Sequence, residues 1–423
     1  MPACFVQPLG RDGRLLFATR SVRMFAYGFL SIVLVLYLKA IGLSDGHVGW
    51  LLSMALFGDT LISLGVTTAA DRVGRKRMLL AGALLMVLVG VVFVLTTNYA
   101  LLLAAATIGV LSPSDKEVGP FQAIEQTALA QIVPAPQRTA VFAWYNLAGS
   151  LAAALGALTG GFASHELLKI TASEATAYRP LVVAYGVVGL LLVLAFTQLS
   201  HAAELPDSAR LARTRPQAMW LGLHRSRGVV LRLAALFSLD AFGGGFVIQS
   251  ILAYWFHHRF GLDPATLGSI LFFANLLAAG SALAASTLAR RFGLINTMVF
   301  SHLPSNLLLI LVPLMPNLPL AVAMLLLRFS ISQMDVPTRQ SYTMSVVHAD
   351  ERSAAAGITA VARSIGAALA PALVGWMFEL GHFNWPFYVA GVVKIIYDIW
   401  LYRAFVAKLP ALDDGAPFDA SPR

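Results

Sequence analysis

Charge is what this chain has least of. Of its 423 residues only 12% are Asp, Glu, Lys or Arg, against roughly a quarter in soluble domains. A soluble protein of this length divides into domains with polar surfaces, and the sequence has no such surface to offer. Cysteine is as scarce: Cys4, in the polar amino-terminal tail, stands alone and excludes both a disulfide framework and a cysteine metal site. No Gly-x-x-x-x-Gly-Lys-[Ser/Thr] phosphate loop occurs, so ATP drive is not supported. Neither a His-x-x-x-His pair nor a Ser/His/Asp arrangement stands out. No enzyme activity, cofactor or metal is expected.

What fills the chain instead is apolar: 58% of it is hydrophobic, in runs of about twenty residues or more, each able to cross about 30 Å of hydrocarbon as a helix. The expected fold class is an all-α polytopic membrane protein with twelve transmembrane helices. The spans read as 15–38, 48–69, 78–97, 100–132, 139–163, 180–200, 229–256, 266–289, 294–314, 318–347, 353–379 and 384–406. The first thirteen residues lack a cleavable signal pattern, so the first run is expected to stay in the membrane. Spans 4 and 10 exceed what a bilayer requires, and kinks are expected at Pro113, Gly119–Pro120 and Pro337.

The net charge of +9 is arranged for a membrane rather than for nucleic acid. Seventeen Lys and Arg residues fall on one side of the alternating connections, among them Arg72, Arg75, Lys76, Arg77 and Arg138. Only Lys39, Lys169, Arg179 and Arg259 fall on the other. That bias predicts cytoplasmic termini, and an even span count requires both ends on one side. Residues 201–228, with five arginines and two prolines, read as a cytoplasmic basic linker between an N-terminal bundle (1–200) and a C-terminal bundle (229–423). A membrane-surface amphipathic helix is the other reading of that stretch.

Internal similarity supports the division. Arg23–Phe29 aligns with Asp240–Phe246, Val48–Leu52 with Leu267–Leu271, and Ala70–Gly74 with Ala289–Gly293. Later, Glu125-Gln126 and Arg138 align with Arg339-Gln340 and Arg352. The order is kept and the offset drifts by only a few residues. Parallel repeats of this kind suit two halves that rock about a central site.

The connection between spans 2 and 3 reads Thr67-Thr68-Ala69-Ala70-Asp71-Arg72-Val73-Gly74-Arg75-Lys76-Arg77. It resembles the signature loop of the major facilitator superfamily, Gly-x-x-x-Asp-Arg-x-Gly-Arg-[Arg/Lys], with Thr67 where the leading glycine stands. The second-half copy has Arg290 in place of the acid. With six-plus-six spans and a basic linker, the resemblance covers essentially the whole chain. It implies a secondary transporter working by alternating access, drug/proton antiporter-like, with the substrate subfamily not identified. Independently of any family, Asp71 is expected to receive helix amino-terminal N–H groups and to latch one conformer with Arg72, Gly74 and Arg75. A solvated topology-setting loop would account for the basic residues equally well. Span 5 carries Gly149, Gly156, Gly160 and Gly161; these suit close helix packing, and the resemblance gives them a second sense, export.

An ionisable group at the bilayer centre costs at least about 2.5–3.5 kcal/mol, so each requires a reason. Asp240, Glu117, Asp59 and Asp115 are the candidates for carrying a proton, since burial and nearby arginines act in opposite directions on a carboxylate. Arg328 is the candidate for attracting an anionic group. Asp335, Arg363, Arg23, Tyr27, Gln122, Gln249, Asn275 and Gln333 are expected to line a polar cavity. Asp335–Arg339 and Lys394–Asp398 are four apart, a spacing at which each pair neutralises itself locally. Glu125 and Arg339, at equivalent places in the repeats near the cytoplasmic ends of spans 4 and 10, suggest a gate between the halves, with independent loop contacts as the other reading. His302 reads as structural, and His257-His258 have no identifiable further metal ligands. The function expected is proton-coupled export of a small organic solute from an inner membrane, by a monomer in contact with lipid. The alternatives are a proton-coupled symporter importing an anionic metabolite and, from another class, a non-transporting receptor or intramembrane enzyme.

Overall fold

In the computed structural model the described residues are 9–114, 121–134, 137–200, 204 and 223–405, with the side chains of 66–72, 139 and 349 left aside. They are helical almost throughout. The first half contains α1 (Arg11–Ala40), α2 (Asp45–Val73), α3 (Arg75–Leu95), α4 (Tyr99–Ile108), α5 (Phe121–Ile132), α6 (Arg138–Ile170) and α7 (Glu174–Thr197). The second contains α8 (Arg227–Gly245), α9 (Gln249–Phe260), α10 (Pro264–Phe292), α11 (Leu294–Leu311), α12 (Leu318–Ser332), α13 (Asp335–Ser345), α14 (Arg352–Glu379) and α15 (Trp385–Phe405). Among the described residues ten stretches are long and apolar enough to cross a membrane. The broken pair α4–α5 and the more charged α15 bring the number to twelve.

Three spans are interrupted. Span 4 ends its first helix at Ile108, where Gly109 turns extended, ahead of the expected kink at Pro113. An unwound backbone at membrane depth survives only if its polar groups find partners, and these do. The Val110 carbonyl accepts from the Tyr185 hydroxyl at 2.7 Å, and the Pro113 carbonyl accepts from the Ser250 backbone N–H and hydroxyl. Span 7 breaks at 246–248 between α8 and α9, directly after Gly243-Gly244-Gly245. Span 10 breaks at Gln333-Met334, so Pro337 falls in the first turn of α13, where its missing N–H costs nothing.

The chain forms two compact units. The first comprises Met1–Arg215, Phe246–Leu276 and Ala368–Pro386. In it α1 runs along α6 and α7, and α3 along α7. Small residues permit the approach: a Cβ on Gly156 would fall 2.0 Å from the Phe25 carbonyl oxygen, so the span-5 glycines serve packing. The Ala372 N–H, next to Pro371 in α14, donates to the Ser53 hydroxyl of α2 at 2.8 Å. The second unit comprises Pro216–Gly245, Leu277–Ala367 and Phe387–Arg423. Its apolar core joins Leu233 and Phe237 of α8 with Met298 of α11, Tyr342 of α13 and Tyr397, Leu401 and Phe405 of α15.

Candidate functional site

Each unit encloses a buried ion cluster. In the first, Arg23 on α1 reaches Glu125 on α5 with both terminal nitrogens, at 2.9 and 2.8 Å. Both side chains have no exposed surface. The Tyr145 hydroxyl of α6 donates to the same carboxylate, Thr19 Oγ1 lies 3.2 Å from it, and the guanidinium stacks over Phe121. This is a closed, fork-on-fork pair with its remaining lone pairs satisfied. Arg23 is engaged by Glu125 inside the first unit, and the ion pairs of Glu125 and Arg339 seen among the described residues lie each within its own unit.

The second cluster is crowded. Asp240 of α8 takes Lys394 of α15 at 2.6 Å on Oδ1. On Oδ2 it takes Arg363 of α14 at 2.9 Å and Arg339 of α13 at 3.2 Å. Arg339 also holds Asp335, one helical turn away, at 2.7 Å. Lys394 and Asp398 form no direct ion pair with each other. Lys394 goes to Asp240, and Asp398 is held by His302 Nδ1 at 2.8 Å and Asn306 Nδ2 at 2.9 Å, both of α11. The other ring nitrogen of His302 stands 3.7 Å from Asp240 Oδ1. His302 thus stands between two carboxylates, bonded to one and near the other. The sequence holds one local signal for it, Asn306 four residues on, the spacing that puts two side chains on one helix face.

The remaining candidates are dispersed. Gln249 donates to Ser31 at 2.7 Å and accepts from Asn275 at 3.0 Å, a hydrogen-bonded chain in the first unit. Tyr27 is buried with its ring against Tyr185. Asp59 is buried on α2, close enough to Tyr185 to act on it electrostatically. Gln122 is half-buried on α5, and Gln333 is half-buried at the α12–α13 break, where its backbone N–H donates to Ser281. Asp115 and Glu117 lie outside the described residues. No group of three or more His, Cys, Asp or Glu among the described residues is placed to hold a metal.

The profile of the Major Facilitator Superfamily matches residues 16–371. The chain belongs to that superfamily. It is 30% identical to an uncharacterized membrane protein of Saccharomyces cerevisiae, over 94% of each chain. It is 20% identical to Multidrug resistance protein 2 of Bacillus subtilis, over 90% of this chain and 92% of the relative. Among solved structures it is similar to a nucleoside transporter (TM-score 0.73, 12% identity, 93% of this chain and 100% of that one). It is also similar to a D-xylose-proton symporter (TM-score 0.69, 16% identity, 92% and 97%). As a member of this superfamily the chain is a multi-pass membrane protein of a transporter family.

The superfamily's signature loop can now be placed. Gly74 has φ +112° at the start of α3, a backbone that side chains with a Cβ rarely adopt. The side chains of Asp71 and Arg72 are outside those described; the carboxylate seen on the first N–H groups of α3 belongs to another residue. Glu204, from the stretch after α7, accepts from the backbone N–H of Arg75 at 2.9 Å and of Lys76 at 3.0 Å. Arg75 itself is buried and bonds Gln131 at 2.9 Å. The second unit repeats the device. Glu351 receives the N–H groups of His224, Arg225 and Ser226 ahead of α8. Burial opposes its charge, yet the Ser226 hydroxyl and those three N–H groups hold its carboxyl down at about 2.

Proposed function

We propose that this protein is a proton-coupled secondary transporter that exports a small organic solute across the inner membrane by alternating access. The halves 1–200 and 229–423 are its moving parts, 201–228 its linker, and both termini face the cytoplasm. The observation that carries the reading is Asp240: one carboxylate inside a span, tied to cations from three other helices. A proton on Asp240 weakens all three ties, and its departure restores them. One protonation event thus selects between two sets of helix contacts, which is what a coupled conformational cycle requires. His302 and Asp398 stand beside this carboxylate, with His302 bonded to Asp398 at 2.8 Å and 3.7 Å from Asp240. The outward direction draws support from the Bacillus relative's name. A second reading, entry of the solute together with a proton, is favoured by the same three cations. The proton on Asp240 releases a guanidinium to the solute, so both bind together.

The test uses everted membrane vesicles with an acid interior and a pH-sensitive dye. An exported solute added outside dissipates the gradient with the wild-type protein and not with Asp240→Asn at equal protein content. A solute that travels with the proton dissipates it only when loaded inside. Equal dissipation by the variant removes Asp240 from the coupling step. No dissipation by any of a broad panel of organic solutes, added on either side, removes proton coupling.

A further inference from the structure

The second cluster is short of negative charge. Its cations are Arg339, Arg363 and Lys394, bonded to its acids, and Arg328, within electrostatic reach of Asp240. Its acids are Asp240, Asp335 and, through His302, Asp398. Those acids are already engaged. Asp335 faces Arg339, Asp398 gives both oxygens to His302 and Asn306, and Asp240 answers three cations at once. Two guanidinium groups are left with donors to spare. Arg363 spends one nitrogen on Asp240, and its side chain is 31% exposed where that of Asp240 is 4%. Arg328, in the middle of α12, makes no ion pair with the described residues. Its Nε is buried with no acceptor among the described residues, and its guanidinium carbon lies 5.0 Å from the centre of the Phe329 ring. It lies within the electrostatic reach of Asp240.

A guanidinium in a protein does not shed its proton to escape such a setting. A carboxylate, phosphate or sulfonate presents two oxygens at the spacing its fork of N–H groups requires. We infer that this cluster is an anion-binding site: the transported solute is an organic acid whose charged group is taken by Arg363 and Arg328. This rests on the second reading above, in which solute and proton bind together at the Asp240 cluster. It also gives Asp240 a second sense. Its carboxylate occupies Arg363 until the solute's acid replaces it, so solute and Asp240 compete for one cation.

The experiment measures equilibrium binding to the purified full-length protein in detergent, by calorimetry and thermal shift, with probes of one shape and different charge. These are benzoate, benzenesulfonate and phenyl phosphate, against neutral benzamide and cationic benzylamine. The acids are expected to bind, more weakly as salt rises, and the other two not. Arg363→Gln and Arg328→Gln should each lower acid affinity at least tenfold. Arg328→Lys should recover it only in part, and Asp240→Asn should raise it by freeing Arg363. Benzamide binding as tightly as benzoate would overturn the inference. So would acid binding that survives both arginine substitutions, or no preference for acids across the set. No gradient is used: acid binding without proton-driven flux would sink the coupling reading alone. Driven flux of a neutral solute without acid binding would sink this one alone.

Discussion

The two buried clusters occupy equivalent places in the repeats with their signs exchanged. Arg23 corresponds to Asp240 and Glu125 to Arg339, and each pair joins the first helix of its half to the second part of the half's broken fourth span. The first pair is one cation on one acid, sealed from solvent, with hydroxyls filling the spare lone pairs. The second is one acid beset by three cations, with an arginine partly exposed and a histidine alongside. The placing is alike in both, but only the second gathers three cations on one carboxylate. A saturated pair holds two helices together. An overloaded one has several arrangements of nearly equal energy, and that is the raw material of a switch.

Breaking the first pair should have the largest effect. Arg23→Ala leaves Glu125 charged and buried, and is expected to cost about 3–5 kcal/mol, read as lost membrane yield and a lower thermal midpoint. The double replacement Arg23→Met with Glu125→Leu should recover most of that loss, since neither charge then remains. A single variant as stable as the wild type would deny the pair its holding role. In the second cluster, His302→Gln should leave the amount of protein unchanged. It should shift the pH profile of gradient dissipation and slow it several-fold; an unmoved profile would mark the imidazole as packing. Asn306→Ala, which loosens Asp398, should move the profile the same way by less. The smallest effect belongs to the helix caps. Glu351→Ala should lower stability by about 1 kcal/mol, the usual scale for an end cap. Because its carboxyl sits below the ordinary value, that contribution is complete above about pH 4.5 and fades as pH falls toward about 2. Thermal melts of wild type and variant should therefore converge over that window.

The fold was legible because membrane burial writes itself into composition: twelve apolar runs and the loop around Asp71 sufficed for architecture and superfamily. The ion clusters were legible only as inventory. Spacing along one helix finds Asp335 and Arg339, which meet at 2.7 Å. It cannot tell that Lys394 turns from Asp398 to Asp240, because the choice is made by α8 and α11, far off in sequence. His302 looked inert for the same reason. The break in span 7 was hidden by reading Gly243-Gly244-Gly245 as plain sequence around Asp240. The cap on α3 was not legible because its acid, Glu204, comes from the stretch after α7, far off in sequence.

The Ser250 contact with Pro113 has a consequence for motion. The unwound stretch of span 4 owes its satisfied carbonyl to a residue at the start of α9, just past the break in span 7. Any cycle that carries α9 away strands that oxygen in apolar surroundings unless another donor arrives. The joint in one span is thus geared to the joint in another: they must bend in step, and a solute that stiffens either one will be felt at both.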